Sequence, residues 1–244
     1  MKYSEIYKKW RDNPIEFWKK NAEDVSWINF PEKILTKKNE NFYEWFSDGV
    51  MNTCYNAVDK NILEGRGDQV AIYYDSPITN SKSKLTYNEL RFKVEEFAGA
   101  LNKYNISKGD RVIVYMPMIP EAIIAVLAIA RIGAVHSVVF GGFAAKELAV
   151  RIDDCSPKLI ISASCGIEPG RIVEYKPLLD EAIKLSNHKV KNCIIFQREQ
   201  LIVKLNADLD VSWNEAIEDV KPADIVPVNG NDPLYILYTS GTTG

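Results

Sequence analysis

Four apolar runs alternate with segments of helical pattern: Arg111-Val112-Ile113-Val114-Tyr115-Met116, Ala134 to Phe140, Lys158-Leu159-Ile160-Ile161-Ser162 and Cys193-Ile194-Ile195-Phe196. A strand with almost no polar position is expected where both faces of a parallel sheet are covered. Parallel neighbours need a crossover, and helices between strands supply right-handed ones. The predicted fold class is therefore α/β, a doubly wound, mainly parallel sheet flanked by helices. At 244 residues a single sizeable core is feasible, because a chain of this length buries roughly 70–75% of its unfolded surface.

The helix boundaries carry local signals. Thr86-Tyr87-Asn88-Glu89 is a capping box, and Leu90, Val94, Phe97, Ala98 and Leu101 follow at helical spacing toward an end near Asn105. Pro120 suits the first turn of an alanine-rich helix, residues 121–131, closed by Gly133. Further helices are expected over 144–153 and 177–186, and a second capping box, Ser212-Trp213-Asn214-Glu215, opens a short one. Gln69 to Tyr74 is a β-rich run that begins the alternation, and Pro222 and Pro227 mark a loop before a final strand, Leu234-Tyr235-Ile236-Leu237.

Residues 1 to about 60 are rich in aromatics, among them Trp10, Phe17, Trp18, Trp27, Phe30, Trp45 and Phe46, without a clean period. Long amphipathic helices are not expected there. Scattered large rings suggest an extended arm that plugs into a bigger body. The expected division is an N-terminal arm, 1–66, and an α/β domain, 67–244.

Charge excludes one class of partner. Thirty basic and 33 acidic residues are interspersed for a net charge of −3, so no basic stripe matches a nucleic-acid backbone. The longest apolar run, around Ala122 to Ala130, is too short to span a bilayer, and no apolar leader follows Met1. A cytoplasmic protein without a membrane partner is expected. Cys54, Cys155, Cys165 and Cys193 lack metal-ligand spacing and read as small apolar thiols. His136 lies in an apolar strand and reads as a buried, hydrogen-bonded histidine; Asp153-Asp154 reads as a solvated helix end. No catalytic residue and no metal site is assigned.

Ligands of open α/β sheets bind beyond the carboxyl ends of the strands. Three segments there are candidates. Phe140-Gly141-Gly142-Phe143 lets backbone approach something flat or charged, Gly166 to Arg171 presents one arginine on a turn, and Thr239-Ser240-Gly241-Thr242-Thr243-Gly244 offers N–H groups and hydroxyls to phosphate oxygens.

Together these segments resemble a known family. Tyr238 to Gly244 looks like the phosphate loop of the adenylate-forming acyl-CoA synthetases, which in the family continues into Pro-Lys-Gly. Arg111 to Phe143, Asn52-Thr53-Cys54-Tyr55-Asn56 and Gly67-Asp68-Gln69-Val70-Ala71 are very similar to its short-chain members, the acetyl- and propionyl-CoA synthetases. The resemblance covers nearly the whole chain and corresponds to the N-terminal portion of such an enzyme. It implies ligation of propionate or acetate to CoA through an acyl-adenylate, with ATP, CoA and a short-chain carboxylate as substrates and Mg2+ held by residues outside this chain. It implies nucleotide phosphate contacts from Thr239, Ser240, Gly241, Thr242, Thr243 and Gly244. CoA contacts are implied for Phe140, Gly141 and Gly142, and for Glu168, Pro169, Gly170 and Arg171, with Arg171 pairing with a phosphate. Acetyl-CoA synthetases typically carry a second arginine where Glu168 stands, and the Ile-Glu-Pro-Gly-Arg form looks more like propionyl-CoA synthetases. The chain alone is expected to be inactive; the alternative is a non-catalytic CoA-binding or interaction module.

Overall fold

The computed structural model describes residues 2–239. The N-terminal segment opens on two short helices, α1 (Tyr3–Asp12) and α2 (Pro14–Ala22); long helices were not expected there, and none forms. Tyr3, Tyr7 and Trp10 share one helical stripe, with successive ring centroids 6.1 Å and 5.5 Å apart. The stripe is short and no residue of α1 is buried, so it is lost among the neighbouring aromatics when residues 1–60 are read together. Pro14 takes the first turn of α2, and Asn13 caps it by accepting from the Glu16 N–H at 3.3 Å.

Strands β1 (Leu35–Lys37) and β2 (Tyr43–Trp45) form a small hairpin, and β3 (Val50–Met51) leads to a helical stretch containing two π-helical turns, Tyr55–Asp59 and Ile62–Arg66. β4 (Val70–Ser76) is the expected run at 69–74, yet it pairs antiparallel with β5 (Ser81–Thr86) and stays out of the parallel sheet. β5 escapes sequence reading because Ser81, Lys82, Ser83 and Lys84 are all polar and exposed.

From α3 (Tyr87–Lys103) onward the alternation holds. Thr86 Oγ1 accepts from the Glu89 N–H at 3.2 Å while the Glu89 carboxylate accepts from the Thr86 N–H at 2.7 Å. The stripe Leu90, Val94, Phe97, Ala98 and Leu101 is buried. Then come β6 (Arg111–Tyr115), α4 (Pro120–Arg131), β7 (Val135–Val138), α5 (Ala145–Cys155), β8 (Leu159–Ala163), the hairpin β9 (Cys165–Glu168) and β10 (Arg171–Glu174), α6 (Tyr175–Leu185), β11 (Asn192–Phe196), β12 (Asp210–Ser212), α7 (Trp213–Ile217) and β13 (Val228–Asn229).

Five strands form one parallel sheet in the order β12-β11-β8-β6-β7. Alternate residues of its strands face opposite cores. Val112, Val114, Leu159 and Ile161 join α3, α4 and α7 on one side, and Ile113, Tyr115, Ile160 and Ile195 join α5 and α6 on the other. The doubly wound, mainly parallel sheet is therefore present. Residues 234–237 do not form the full strand expected. They touch the edge of β7 through one parallel bridge, with the Ile236 N–H bonded to the His136 carbonyl at 2.9 Å and the His136 N–H to the Leu234 carbonyl at 3.2 Å.

Arg131, at the end of α4, is 3% exposed. It donates to Asp59 Oδ2 at 2.9 Å, to Glu95 Oε1 at 2.8 Å and to the Ala223 carbonyl at 2.8 Å. Burial opposes its charge, but the hydrogen bond and charge of Asp59, with a smaller contribution from Cys54, prevail and hold its pKa above the ordinary value. Removing one member of such a cluster strands the rest without water or counter-charge. Arg131→Met should lower unfolding free energy by about 3–5 kcal/mol in urea titrations; a loss below about 1 kcal/mol would show that the cluster is not structural.

Candidate functional site at the carboxyl ends of the strands

The crossover from β6 through α4 places β7 on one side of β6, and the crossover through α5 places β8 on the other. α4 and α5 thus lie on opposite faces, and a crevice opens between them where the strands end. A cavity of about 470 Å³ occupies it, with Met116, Met118, Gly141, Gly142, Gly166 and Glu168 among its walls.

The turn leaving β7 forms one wall. The Val139 N–H bonds to the Val114 carbonyl at 2.9 Å, the Phe143 N–H closes the turn on the Phe140 carbonyl at 3.0 Å, and the Tyr115 hydroxyl donates to the Phe143 carbonyl at 3.0 Å. A Cβ on Gly141 would sit 2.2 Å from the Tyr175 hydroxyl oxygen, and one on Gly166 would sit 2.5 Å from it. The phenol of Tyr175 is wedged between two backbones that only glycine permits. The Tyr175 N–H bonds to the Ser164 carbonyl at 3.1 Å, and its ring lies 5.1 Å from that of Tyr115. Burial raises the Tyr115 pKa to about 12 and also raises that of Tyr175, where the Glu168 charge adds to it. Both remain neutral phenols at physiological pH.

The β9–β10 hairpin forms a second wall. Gly170 turns it at φ +77°, and Arg171 grips Glu168 with Nε at 2.7 Å and Nη2 at 2.6 Å from the same oxygen. Of the residues expected to meet CoA, Phe140, Gly141, Gly142 and Glu168 line the cavity. Pro169, Gly170 and Arg171 lie on the same hairpin but are absent from its walls.

The segment entering the terminal loop is anchored to α5. The Tyr238 hydroxyl donates to Asp154 Oδ2 at 2.6 Å, and the Arg151 guanidinium lies 4.8 Å from the Phe143 ring centroid and 5.0 Å from that of Tyr238. Burial first, then the hydrogen bond to Asp154, pushes the Tyr238 phenol upward. Leu237 lines the cavity and Thr239 is exposed. Ser240, Gly241, Thr242, Thr243 and Gly244 lie outside the described residues.

The family model described as AMP-binding enzyme matches residues 60–244. The chain belongs to the AMP-binding enzyme family. A second family model, the acetyl-coenzyme A synthetase N-terminus, matches residues 3–57. The human acyl-CoA synthetase short-chain family member 3, mitochondrial, is 50% identical over 95% of this chain and 34% of its own length. The acetyl-coenzyme A synthetase of Streptomyces avermitilis is 41% identical over 99% of this chain and 37% of its own length. An acetoacetyl-CoA synthetase from Streptomyces lividans shares the fold, with a TM-score of 0.86 at 24% identity over 97% of this chain and 36% of that one. The chain thus spans just over a third of the length of the curated relatives it matches.

Within this AMP-binding family chain, several residues of the site escape sequence reading. Tyr175 carries no local signal, since only the fold brings the first residue of α6 against Gly141 and Gly166. Arg151 sits one helical turn after Glu147, which reads as an ordinary surface pair, yet its side chain is buried between two aromatic rings. Asp153 and Asp154 are not an idle helix end. Asp153 accepts from the Asn187 N–H at 2.7 Å and the His188 N–H at 2.9 Å, and Asp154 holds Tyr238. The four cysteines are free and buried, as read.

His136 is half-buried rather than buried, and its Nδ1 has no partner among the described residues. Burial lowers its pKa below the ordinary value of 6.5. A histidine that titrates lower when folded favours the folded state above the unfolded pKa, and that contribution is lost as pH falls through the window below it. The melting temperature should therefore fall between pH 7 and pH 5.5 in the wild type and fall less in His136→Gln; equal slopes in the two proteins would refute the assignment.

Proposed function

We propose that this chain carries the CoA-facing wall and the phosphate loop of an ATP-dependent short-chain carboxylate–CoA ligase. In such a reaction a carboxylate oxygen attacks the α-phosphorus of ATP, releasing pyrophosphate and leaving an acyl-adenylate. The thiol of CoA then attacks the acyl carbon and AMP departs. Propionate is the preferred acid in this reading, on the strength of the Ile167-Glu168-Pro169-Gly170-Arg171 sequence. The observation that carries the proposal is the meeting of Phe140-Gly141-Gly142 with Glu168 around one cavity at the strand ends.

The parts would act by positioning. Gly141 and Gly142 leave backbone open to a thin flexible ligand arm, and the Phe140 ring, 68% exposed, offers a flat apolar face. Arg171 would exchange Glu168 for a phosphate, a stronger and more strongly charged acceptor. Thr239 and the loop to Gly244 would receive the triphosphate. Among the described residues no group of three or more His, Cys, Asp or Glu side chains could hold a metal ion; in this reading Mg2+ would be held by residues outside this chain.

Two measurements test this reading. The chain alone should give no ATP–pyrophosphate exchange, and exchange should appear when it is joined to the remaining two-thirds of a relative; exchange by the chain alone would overturn the division of labour. Calorimetry on the chain should detect CoA, with affinity rising about 3–10-fold in Glu168→Gln as Arg171 is freed, and the gain shrinking in high salt. Gly141→Ala should weaken CoA at least tenfold by displacing Tyr175. If CoA binds and the joined protein still shows no exchange, the chain is a binding module.

A further inference from the structure

Among the described residues, every other deeply buried cation has a carboxylate. Arg131 holds Asp59 and Glu95, Arg151 holds Glu147, and Lys176 holds Asp180 and Asp210. Arg198 does not. It follows β11 at the carboxyl end of the sheet and is 8% exposed. Its backbone is clamped on both sides, the N–H donating to Ser164 Oγ at 2.9 Å and the carbonyl accepting from the Leu201 N–H at 3.0 Å. Its guanidinium makes one hydrogen bond, from Nη1 to the Cys165 carbonyl at 3.3 Å, and among the described residues no carboxylate pairs with it. Its remaining N–H groups are not among the buried polar atoms that lack a partner, so the unbonded edge of the guanidinium opens to cavity space rather than into packed protein.

Arg198 also stands in the wall between two cavities. It lines the cavity of about 470 Å³ described above and a second one of about 520 Å³, and Tyr74 and Ile119 line both. Ser81, Ser83 and Ser212 bring hydroxyls to the second cavity. The start of α4 also lines it; the cap residue Ile119 supplies no side-chain acceptor to the first turn, which carries Glu121. An uncapped helix start and a guanidinium both favour a negative group. Glu121 and Glu199 also line this cavity, and neither pairs with Arg198.

We propose that Arg198 anchors an oxyanion subsite in the second cavity, taking a phosphate or carboxylate group through its free N–H edge. The serine hydroxyls complete the donor set around that group. This subsite stands independently of the CoA reading, because it rests on a different cavity and on a residue that reading does not use.

The test is a titration of the full chain with inorganic phosphate and, separately, with sodium propionate, each at constant ionic strength balanced with sodium chloride. The readouts are the Nε–Hε resonance of Arg198 and the indole N–H of Trp213, which lines the same cavity. Saturable shifts of both signals are expected with at least one of the two anions. Saturation by phosphate alone assigns a phosphoryl group, and saturation by propionate alone assigns a carboxylate. Arg198→Lys should weaken the anion at least threefold and Arg198→Gln at least tenfold. Ser83→Asp, at an exposed position that cannot unfold the core, should also weaken it at least tenfold by placing a negative charge in the cavity. Shifts no larger than those caused by chloride would overturn the proposal, as would unchanged affinity in Arg198→Lys and Ser83→Asp should Arg198→Gln fail to fold.

Discussion

One guanidinium holds the molecule's parts in register. Arg131 lies at the carboxyl end of α4, and its three arms reach the π-helical stretch at Asp59, α3 at Glu95 and the loop before β13 at Ala223. A charge buried to this depth is tolerated only when it is bonded on every side, so these segments cannot drift without exposing it. Asn52 reinforces the same junction. Its amide nitrogen lies 3.1, 2.9 and 2.9 Å from the carbonyls of Ala130, Arg131 and Val226. The first two lie in the last turn of α4 and are shared with other donors, Ala130 with the Gly133 N–H at 3.1 Å and Arg131 with the Val226 N–H at 2.8 Å. The N-terminal segment is thus joined to the α/β body through these polar bonds as well as through the antiparallel pairing of β3 with β13.

Fixing α4 at one end has a consequence at the other. Its N-terminus, at Ile119 and Pro120, lines the second cavity, and Ile119 also lines the first. The opposite face of the sheet is set in a similar way through α5, where Arg151 packs between Phe143 and Tyr238 and Asp154 holds the Tyr238 hydroxyl. The turn after β7 and the segment that enters the terminal loop are therefore bound to one helix. Their relative position does not depend on the single bridge that Tyr235 makes with His136.

What could be read beforehand follows from the range over which each signal acts. The parallel strands were legible because both faces of β6, β8 and β11 are buried, which leaves almost no polar residue in them. The Thr86–Glu89 box was legible because its partners are three residues apart. β5 was not, because a hairpin outside the main sheet keeps its polar side chains in water. Residues 69–74 were legible as a β-rich run, but their antiparallel pairing with β5 was not: a strand's sequence shows its propensity and not its partner. At the site, the glycines were visible as glycines, but the reason for them is Tyr175, 34 residues from Gly141, and no local pattern connects the two. Arg198 stands between the polar residues Gln197 and Glu199, and nothing in that local sequence signals its burial.

The two arginines beside the cavities show why burial, rather than the presence of charge, decides what a cation can do. Arg171 is 70% exposed on its side chain and is already matched by Glu168. In water such a pair is worth little, so a phosphate can replace the carboxylate at small cost, and Arg171 can serve a ligand that comes and goes. Arg198 is shielded and lacks a carboxylate, so an anion that reaches it meets a field that solvent screens weakly. Because Arg198, Tyr74 and Ile119 line both cavities, a negative group seated in the proposed subsite would alter the field and the packing felt on the other side. Such a coupling would be reciprocal: an anion in the second cavity and a ligand in the first would change each other's affinity by the same factor.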